Sequence, residues 1–197
     1  MNKENNVLLF DLGGVLADLG EPAKSIGLEL TEEEFWQTWL NSASVHAFEQ
    51  GELETPEFLS RIATEFGQAD VGDFERRFQA WQLRLFPGAE TALRSLPEDC
   101  RVALLSNTNV VHWEQVVGAT DVFSIFDRLF LSFETGLYKP VAESFEQVVA
   151  HFDCNPGDVL FLDDSLRNVN AASEQGLNAH VARGIHEARA IIAREIG

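Results

Sequence analysis

Apolar residues in this chain come in two patterns. Short runs that are apolar at every position, Val7–Phe10, Val102–Leu105, Leu129–Leu131 and Val159–Leu162, are followed by a last short strand expected at 179–182, apolar but for His180. Runs this short predict strands buried on both faces, as in a parallel sheet covered by helices. Between them, apolar residues recur at helical spacing over 89–96, 110–117, 141–152 and 166–175, and again over 185–196. Pro140 is expected to take the first helical position of the 141–152 segment. Strands alternating with helices of this length predict an α/β fold with a parallel sheet and right-handed crossovers.

One stretch breaks the alternation. From Gly14 to Pro87 only helices are expected. Thr31 opens one, with Glu34 three residues later and Phe35, Trp36, Trp39 and Leu40 following at helical spacing, the signature of a capping box. Others are expected over 45–50, from Thr55-Pro56 to Gly67, and from Val71 to Leu85, with no strand signal, flexible linker or repeat. Residues 17–86 thus read as a helical insertion over the carboxyl edge of the sheet, and 1–16 with 87–197 as the core domain.

Composition narrows the classes of partner. The 197 residues carry 32 acidic and 14 basic side chains, a formal charge of −18 with no basic cluster. Such a surface repels polyanions, which argues against nucleic acid and anionic membranes as partners. No apolar run approaches the length of a membrane span, and the first six residues are polar, without a signal-peptide core. A cytoplasmic protein, monomeric or a small homo-oligomer, is the expectation. Cys100 and Cys154 have no partners at metal-binding spacing and read as free thiols. The tryptophans read as packing residues, and the five histidines are scattered.

The chemistry collects where the strands end. The first run stops at Asp11 and is followed by Gly13 and Gly14; the second stops at Ser106-Asn107, and the fourth at Asp163-Asp164. Lys139-Pro140 precedes a helix. Carboxyl ends of parallel strands converge on one crevice, where ligands of open α/β sheets bind. Three carboxylates, a hydroxyl, an amide and an ammonium suit a Mg²⁺ ion holding a phosphate, because Mg²⁺ takes hard oxygen ligands and keeps substrate phosphate in its shell. An aspartate aligned with phosphorus can also be a covalent nucleophile. A lysine and a serine beside it can stabilise the phosphoryl oxygens.

In this order, Asp11, Ser106, Lys139 and Asp163-Asp164-Ser165-Leu166-Arg167-Asn168 resemble the four motifs of the haloacid dehalogenase-like hydrolase superfamily. The inserted helices resemble its cap. The resemblance covers almost the whole chain and implies a Rossmann-like sheet sandwiched by helices, with a small helical cap after the first strand. The wording Phe10-Asp11-Leu12-Gly13-Gly14-Val15, Ser106-Asn107-Thr108-Asn109 and Gly136-Leu137-Tyr138-Lys139-Pro140 is similar to a branch of sugar-phosphate phosphatases acting on glucose 1-phosphate.

By this resemblance Asp11 is nucleophile and metal ligand, the Gly13 carbonyl and Asp164 are ligands, and Asp163 is a close or outer ligand near Asn168. Ser106, Asn107 and Lys139 would hold the substrate phosphate. The implied protein is a Mg²⁺-dependent phosphomonoester hydrolase for a small phosphorylated metabolite, with an aspartyl-phosphate intermediate. In one respect the chain departs from the pattern: the residue two after the nucleophile, an acid in most phosphatases of the superfamily, is Gly13. His46, Glu49 and Asp18 are the candidates to replace it. The rival readings are a phosphate-binding or regulatory protein of reduced catalysis, and a metal-free dehalogenase, which the paired Asp163-Asp164 disfavours.

Overall fold

The computed structural model describes residues 6–196, so the polar N-terminal stretch lies almost wholly outside the described residues. Strand β1 (Val7–Phe10) leads through β2 (Ala17–Asp18) into helices α1 (Pro22–Ile26), α2 (Glu32–Asn41), α3 (Ala43–Glu49), α4 (Thr55–Glu65) and α5 (Val71–Ala80). Strand β3 (Arg84–Leu85) returns the chain to α6 (Ala89–Arg94), β4 (Arg101–Ser106), α7 (Val110–Ala119), β5 (Arg128–Leu131) and α8 (Ser132–Thr135). Then come α9 (Ala142–Phe152), β6 (Val159–Asp163), α10 (Leu166–Glu174), β7 (Asn178–Val181) and α11 (Gly184–Glu195).

Five strands form one sheet in the order β5-β4-β1-β6-β7, all parallel. The fold is the expected Rossmann-like α/β arrangement. Every residue of β1 is fully buried, because it has a neighbour on each edge and helices on each face. Phe10 is level with Leu104 of β4 and Leu162 of β6, so the three strands run out together. The Asp11 N–H still donates to the Leu162 carbonyl at 2.9 Å, which fixes its side chain at the sheet's carboxyl edge.

The helices between β2 and β3 begin as their capping residues dictate. Thr31 accepts from the Glu34 N–H while the Glu34 carboxylate accepts from the Thr31 N–H, and Ser42 and Asp70 cap α3 and α5. Their common interior is aromatic. Phe35, Phe58, Phe74 and Phe78 are fully buried, Phe48 and Phe58 stack at 4.0 Å between centroids, and Phe35 stacks on Phe66 at 5.2 Å. The Trp81 indole N–H reaches the Leu19 carbonyl at 2.8 Å.

Where the expectations failed, the element was too short or too dependent on its surroundings to leave a pattern. No strand was expected between residues 14 and 87, yet β2 and β3 pair antiparallel where the chain leaves and re-enters the core. Two-residue strands have no periodicity to read. The last inserted helix stops at Ala80 rather than Leu85, since Arg84 and Leu85 join that ribbon. Helices α1 and α8, of five and four residues, were not foreseen. Pro140 follows a cis peptide bond and stands outside α9, whose N-cap is Val141.

At one seam the inserted helices meet the core directly. Gln50 donates to the Gly136 carbonyl at 3.2 Å. Next to it, Gly51 has φ of +74°, and a Cβ there would lie 2.3 Å from the Phe133 carbonyl oxygen. Only glycine permits that approach. Truncating the aromatic interior should be costly. Phe58→Ala is expected to remove about 3–5 kcal/mol of stability, read from the urea midpoint at constant m-value.

Candidate active site

Buried charge is expensive, and the carboxyl edge of this sheet gathers four charged groups. Ligand oxygens of Asp11, Asp163 and Asp164 all lie within 4.8 Å of one another. The Lys139 ammonium, brought in by the loop before α9, bonds to Asp11 Oδ1 at 2.7 Å and Asp163 Oδ2 at 2.6 Å, with its side chain 2% exposed. Burial works against its charge, but the two carboxylates outweigh that and hold the Lys139 pKa above its ordinary value.

Each carboxylate has a different remaining capacity. Asp163, fully buried, also accepts from the Ser165 N–H at 2.8 Å and from the Asn168 amide at 3.1 Å on both oxygens. Protein donors thus occupy both of its oxygens. Asp164 has no such set of partners and faces the crevice. Burial, then the neighbouring Asp163 charge, pushes its carboxyl up. Gly14, at φ +72°, runs so close beneath it that a Cβ would stand 2.3 Å from Asp164 Oδ2.

Burial likewise lifts Asp11 to about 7, against the pull of Lys139 and with help from Asp163 and Asp164. Fully ionised, three carboxylates against one ammonium would leave two negative charges unbalanced, an excess that the upward shifts of Asp11 and Asp164 reflect. A hard divalent cation is the ligand that such an oxygen set fits.

Above this edge is a cavity of about 560 Å³. Asp11, Gly13, Asn107, Lys139 and Asp164 line its core side, and Trp36, Trp39, Leu40, Val45, His46, Glu49, Trp81 and Leu83 its inserted side. The tryptophans therefore both pack and form walls. Asn107 uses its carboxamide to hold the lysine loop: it donates to the Lys139 carbonyl at 2.9 Å and accepts from the Lys139 N–H at 2.8 Å. That leaves the backbone of Asn107, not its side chain, for a bound anion. Ser106 ends β4, buried, and it is Asn107, Thr108 and Asn109 that line the cavity beside it.

His112 was not foreseen. It is 3% exposed in α7, lines the cavity, and sits against Trp81 with ring centroids 4.4 Å apart. Asn109 caps α7 by accepting from the His112 N–H at 3.1 Å, which turns its amide NH₂ toward His112 Nδ1, also at 3.1 Å. Nδ1 therefore accepts, the proton is on Nε2, and Nε2 has no hydrogen-bond partner among the described residues. Desolvation drives the ring's pKa down to about 3. Glu49 is shifted the other way, to about 7, by burial, against the Trp39 indole and the Lys139 charge. Its position at the end of α3 was one of three left open by the residue pattern, and only the packing shows that it faces the cavity.

A model of the haloacid dehalogenase-like hydrolase family matches residues 6–176. The chain belongs to this family. It is an enzyme of the hydrolase class. Among relatives, drimenol cyclase drtB of Aspergillus calidoustus is 28% identical over 184 residues, 87% of this chain and 33% of that longer protein. The sesquiterpene phosphatase astK of Aspergillus oryzae is 26% identical over 178 residues, 86% of this chain and 85% of its own.

The D-ribitol-5-phosphate phosphatase of Bacteroides thetaiotaomicron is 28% identical over 189 residues, covering 86% and 87%. The solved structure of the family enzyme bt-2542 from the same organism, in complex with magnesium and inorganic phosphate, superposes with a TM-score of 0.74 at 25% identity. That match covers 89% of this chain and 93% of the other.

Two outcomes follow for this hydrolase. Lys139→Met leaves the carboxylate pair without its counter-charge and is expected to cost about 3–5 kcal/mol of stability in the absence of divalent metal, measured by urea unfolding. His112 should remain the neutral Nε2–H tautomer down to about pH 4, seen in its ring ¹⁵N shifts, since its pKa is about 3. Its folded pKa lies below the unfolded value of 6.5, so the unfolded chain binds the proton first and this group's contribution to stability is lost as pH falls from 6.5 toward 3.

Proposed function

We propose that this hydrolase is a Mg²⁺-dependent phosphomonoesterase for a small phosphorylated metabolite, a sugar or polyol phosphate, working through an aspartyl-phosphate on Asp11. The observation that carries the reading is the division of labour among the carboxylates. Asp11 is held by Lys139 at 2.7 Å at the end of the central strand, Asp163 is saturated by protein donors, and Asp164 is left open beside Gly14. Asp11, Asp164 and the Gly13 carbonyl would hold the metal, with Asp163 and Asn168 behind them. The ion would neutralise the phosphate and polarise its P–O bonds.

This chain's own groups do the rest. The Asp11 carboxylate attacks phosphorus and the ester P–O bond breaks, its electron pair leaving with the alcohol oxygen, which must gain a proton. Water then attacks the acyl phosphate, releasing inorganic phosphate and restoring the carboxylate. Lys139 offsets negative charge on the nucleophile and the transferring oxygens, and the Asn107 backbone at the cavity wall would hold those oxygens, with the Ser106 hydroxyl reaching them only if the buried end of β4 opens toward the ligand. The helices over residues 17–86 would form the cap domain that excludes water and reads the alcohol. The family relatives named as phosphatases for ribitol 5-phosphate and for sesquiterpenes support the same reaction on different alcohols.

A second reading of the substrate rests on the walls. Trp36, Trp39, Leu40, Val45, Trp81 and Leu83 present an apolar surface that suits an isoprenoid alcohol as well as the apolar face of a sugar. A panel of hexose, pentitol and isoprenyl monophosphates with p-nitrophenyl phosphate separates the two. Phosphate release is expected to need Mg²⁺ and to fall by at least 10³-fold, on the order of the loss for removing a nucleophile, in Asp11→Asn. Release that survives chelation or Asp11→Asn defeats the mechanism. None from Mg²⁺-binding protein on any ester moves the assignment to a phosphate-binding role.

A further inference from the structure

We propose that Glu49 is the proton donor to the leaving alcohol, an acid supplied by the inserted helices to a core that offers none; this rests on the phosphatase reading above. The need is chemical. An alkyl ester that breaks without a proton releases an alkoxide, whereas a donor in place lowers that barrier by about 10²–10⁴-fold in rate.

Other groups around the cavity are excluded by what they already do. Asp11 is the nucleophile, Asp164 faces the metal position, and Lys139 is locked between Asp11 and Asp163. Gly13 has no side chain. Asp18 is exposed in β2, where its carboxylate accepts from the Gly20 N–H at 2.9 Å, and it does not line the cavity. The His46 Nε2 is held at 3.0 Å by the Leu40 carbonyl and its ring lies against Tyr138, 5.5 Å between centroids; only Nδ1 is left, and an acid there would survive Glu49→Gln. His112 is a neutral ring whose Nε2–H can donate a hydrogen bond but is far too weak an acid to release its proton. Tyr138 lines the cavity with its ring packed on that of His46, centroids 5.5 Å apart, and Arg167 brings a positive charge rather than an acid.

Glu49 has what the others lack. It is the last residue of α3, so the carbonyl end of that helix disfavours its ionised form. It lines the same cavity as Asp11, and the chain immediately after it is fastened to the core: Gln50 bonds to Gly136, and Gly51 passes beneath Phe133. That seam ties the end of α3, and Glu49 with it, to the core that carries Asp11.

The groups facing it are few. From the core comes the Lys139 charge, and from α2 the Trp39 indole; the acids of α2 lie in its first turn. On α4, Glu65 is engaged by the Ser44 hydroxyl at 2.5 Å, and on α8, Glu134 is exposed. Burial outweighs Lys139 and leaves the carboxyl near 7, a value at which it can give and retake a proton at neutral pH.

The proton balance closes over two steps. As Asp11 bonds to phosphorus, the alcohol oxygen takes the ester electron pair and the Glu49 proton, and Glu49 is left as a carboxylate facing Lys139. When water attacks the aspartyl-phosphate, Glu49 takes a proton from it and returns to its starting form.

The test is the leaving-group dependence of kcat/KM in Glu49→Gln, measured with Mg²⁺ on an alkyl phosphate from the panel and on p-nitrophenyl phosphate. Since kcat/KM reports only steps through release of the alcohol, it isolates the proton donation. The expected result is a loss of about 100-fold on the alkyl ester and a much smaller one on the nitrophenyl ester, whose anion leaves unaided. The fall in alkyl-ester kcat/KM above about pH 7 should disappear in the same variant, and Glu49→Asp should keep part of the rate. An equal loss on both esters, or an unchanged alkyl-ester rate with the alkaline fall intact, overturns the assignment while leaving the phosphatase reading standing. Wild-type protein inactive on every ester overturns both.

Discussion

The structure depends on one buried ammonium. Lys139 lies between two carboxylates at 2.7 and 2.6 Å, and both it and Asp163 are buried. Charges so placed are tolerable only when paired and hydrogen-bonded on every side. Much of the surrounding local structure meets that condition. Asn107 clamps both backbone groups of Lys139, and Ser165 and Asn168 complete the shell of Asp163. Asp11 is pinned by a sheet hydrogen bond to the neighbouring strand. Groups far apart in the chain are thus held together by the cost of leaving any one charge alone.

The pairing is deliberately incomplete in electrostatic terms. One ammonium cannot balance three carboxylates, and the excess falls on the edge that faces the cavity, where Asp164 has no protein donor set of the kind that encloses Asp163. Gly14 is the steric counterpart of this excess, for any side chain there would occupy the position of the Asp164 carboxylate. A site whose geometry is set before any ligand enters needs little reorganisation to act on one.

The two halves of the cavity answer to different constraints. Its floor is fixed by charge, and its walls by aromatic packing. Trp39 and Trp81 are among the residues that hold the inserted helices together, and they also line the cavity. A change in substrate preference through these rings is therefore coupled to the stability of the insertion. The seam at Gln50 and Gly51 ties the walls to the floor and makes the position of Glu49 a property of both.

The residue pattern by itself determined the sheet, the order of chemistry along the chain and the capping box at Thr31. Those depend on local periodicity and on side chains that act where they stand: short, fully apolar runs alternating with helical segments suit strands buried on both faces, and Asp11, Ser106 and Asp163-Asp164 stand at their ends. It left Glu49, His46 and Asp18 equivalent, because each is one polar residue in an amphipathic stretch.

Tertiary structure gives them different surroundings: Glu49 ends α3 in the cavity, His46 is held by the Leu40 carbonyl and Asp18 is exposed, none of which has a sequence signature. The tautomer and depressed pKa of His112 likewise arise from enclosure by Trp39, Phe78 and Trp81. The β2–β3 ribbon and the place of Pro140 were decided by pairing and loop geometry between segments distant in the chain. Local pattern reveals what a residue does within its own element; what it faces depends on which elements pack against it.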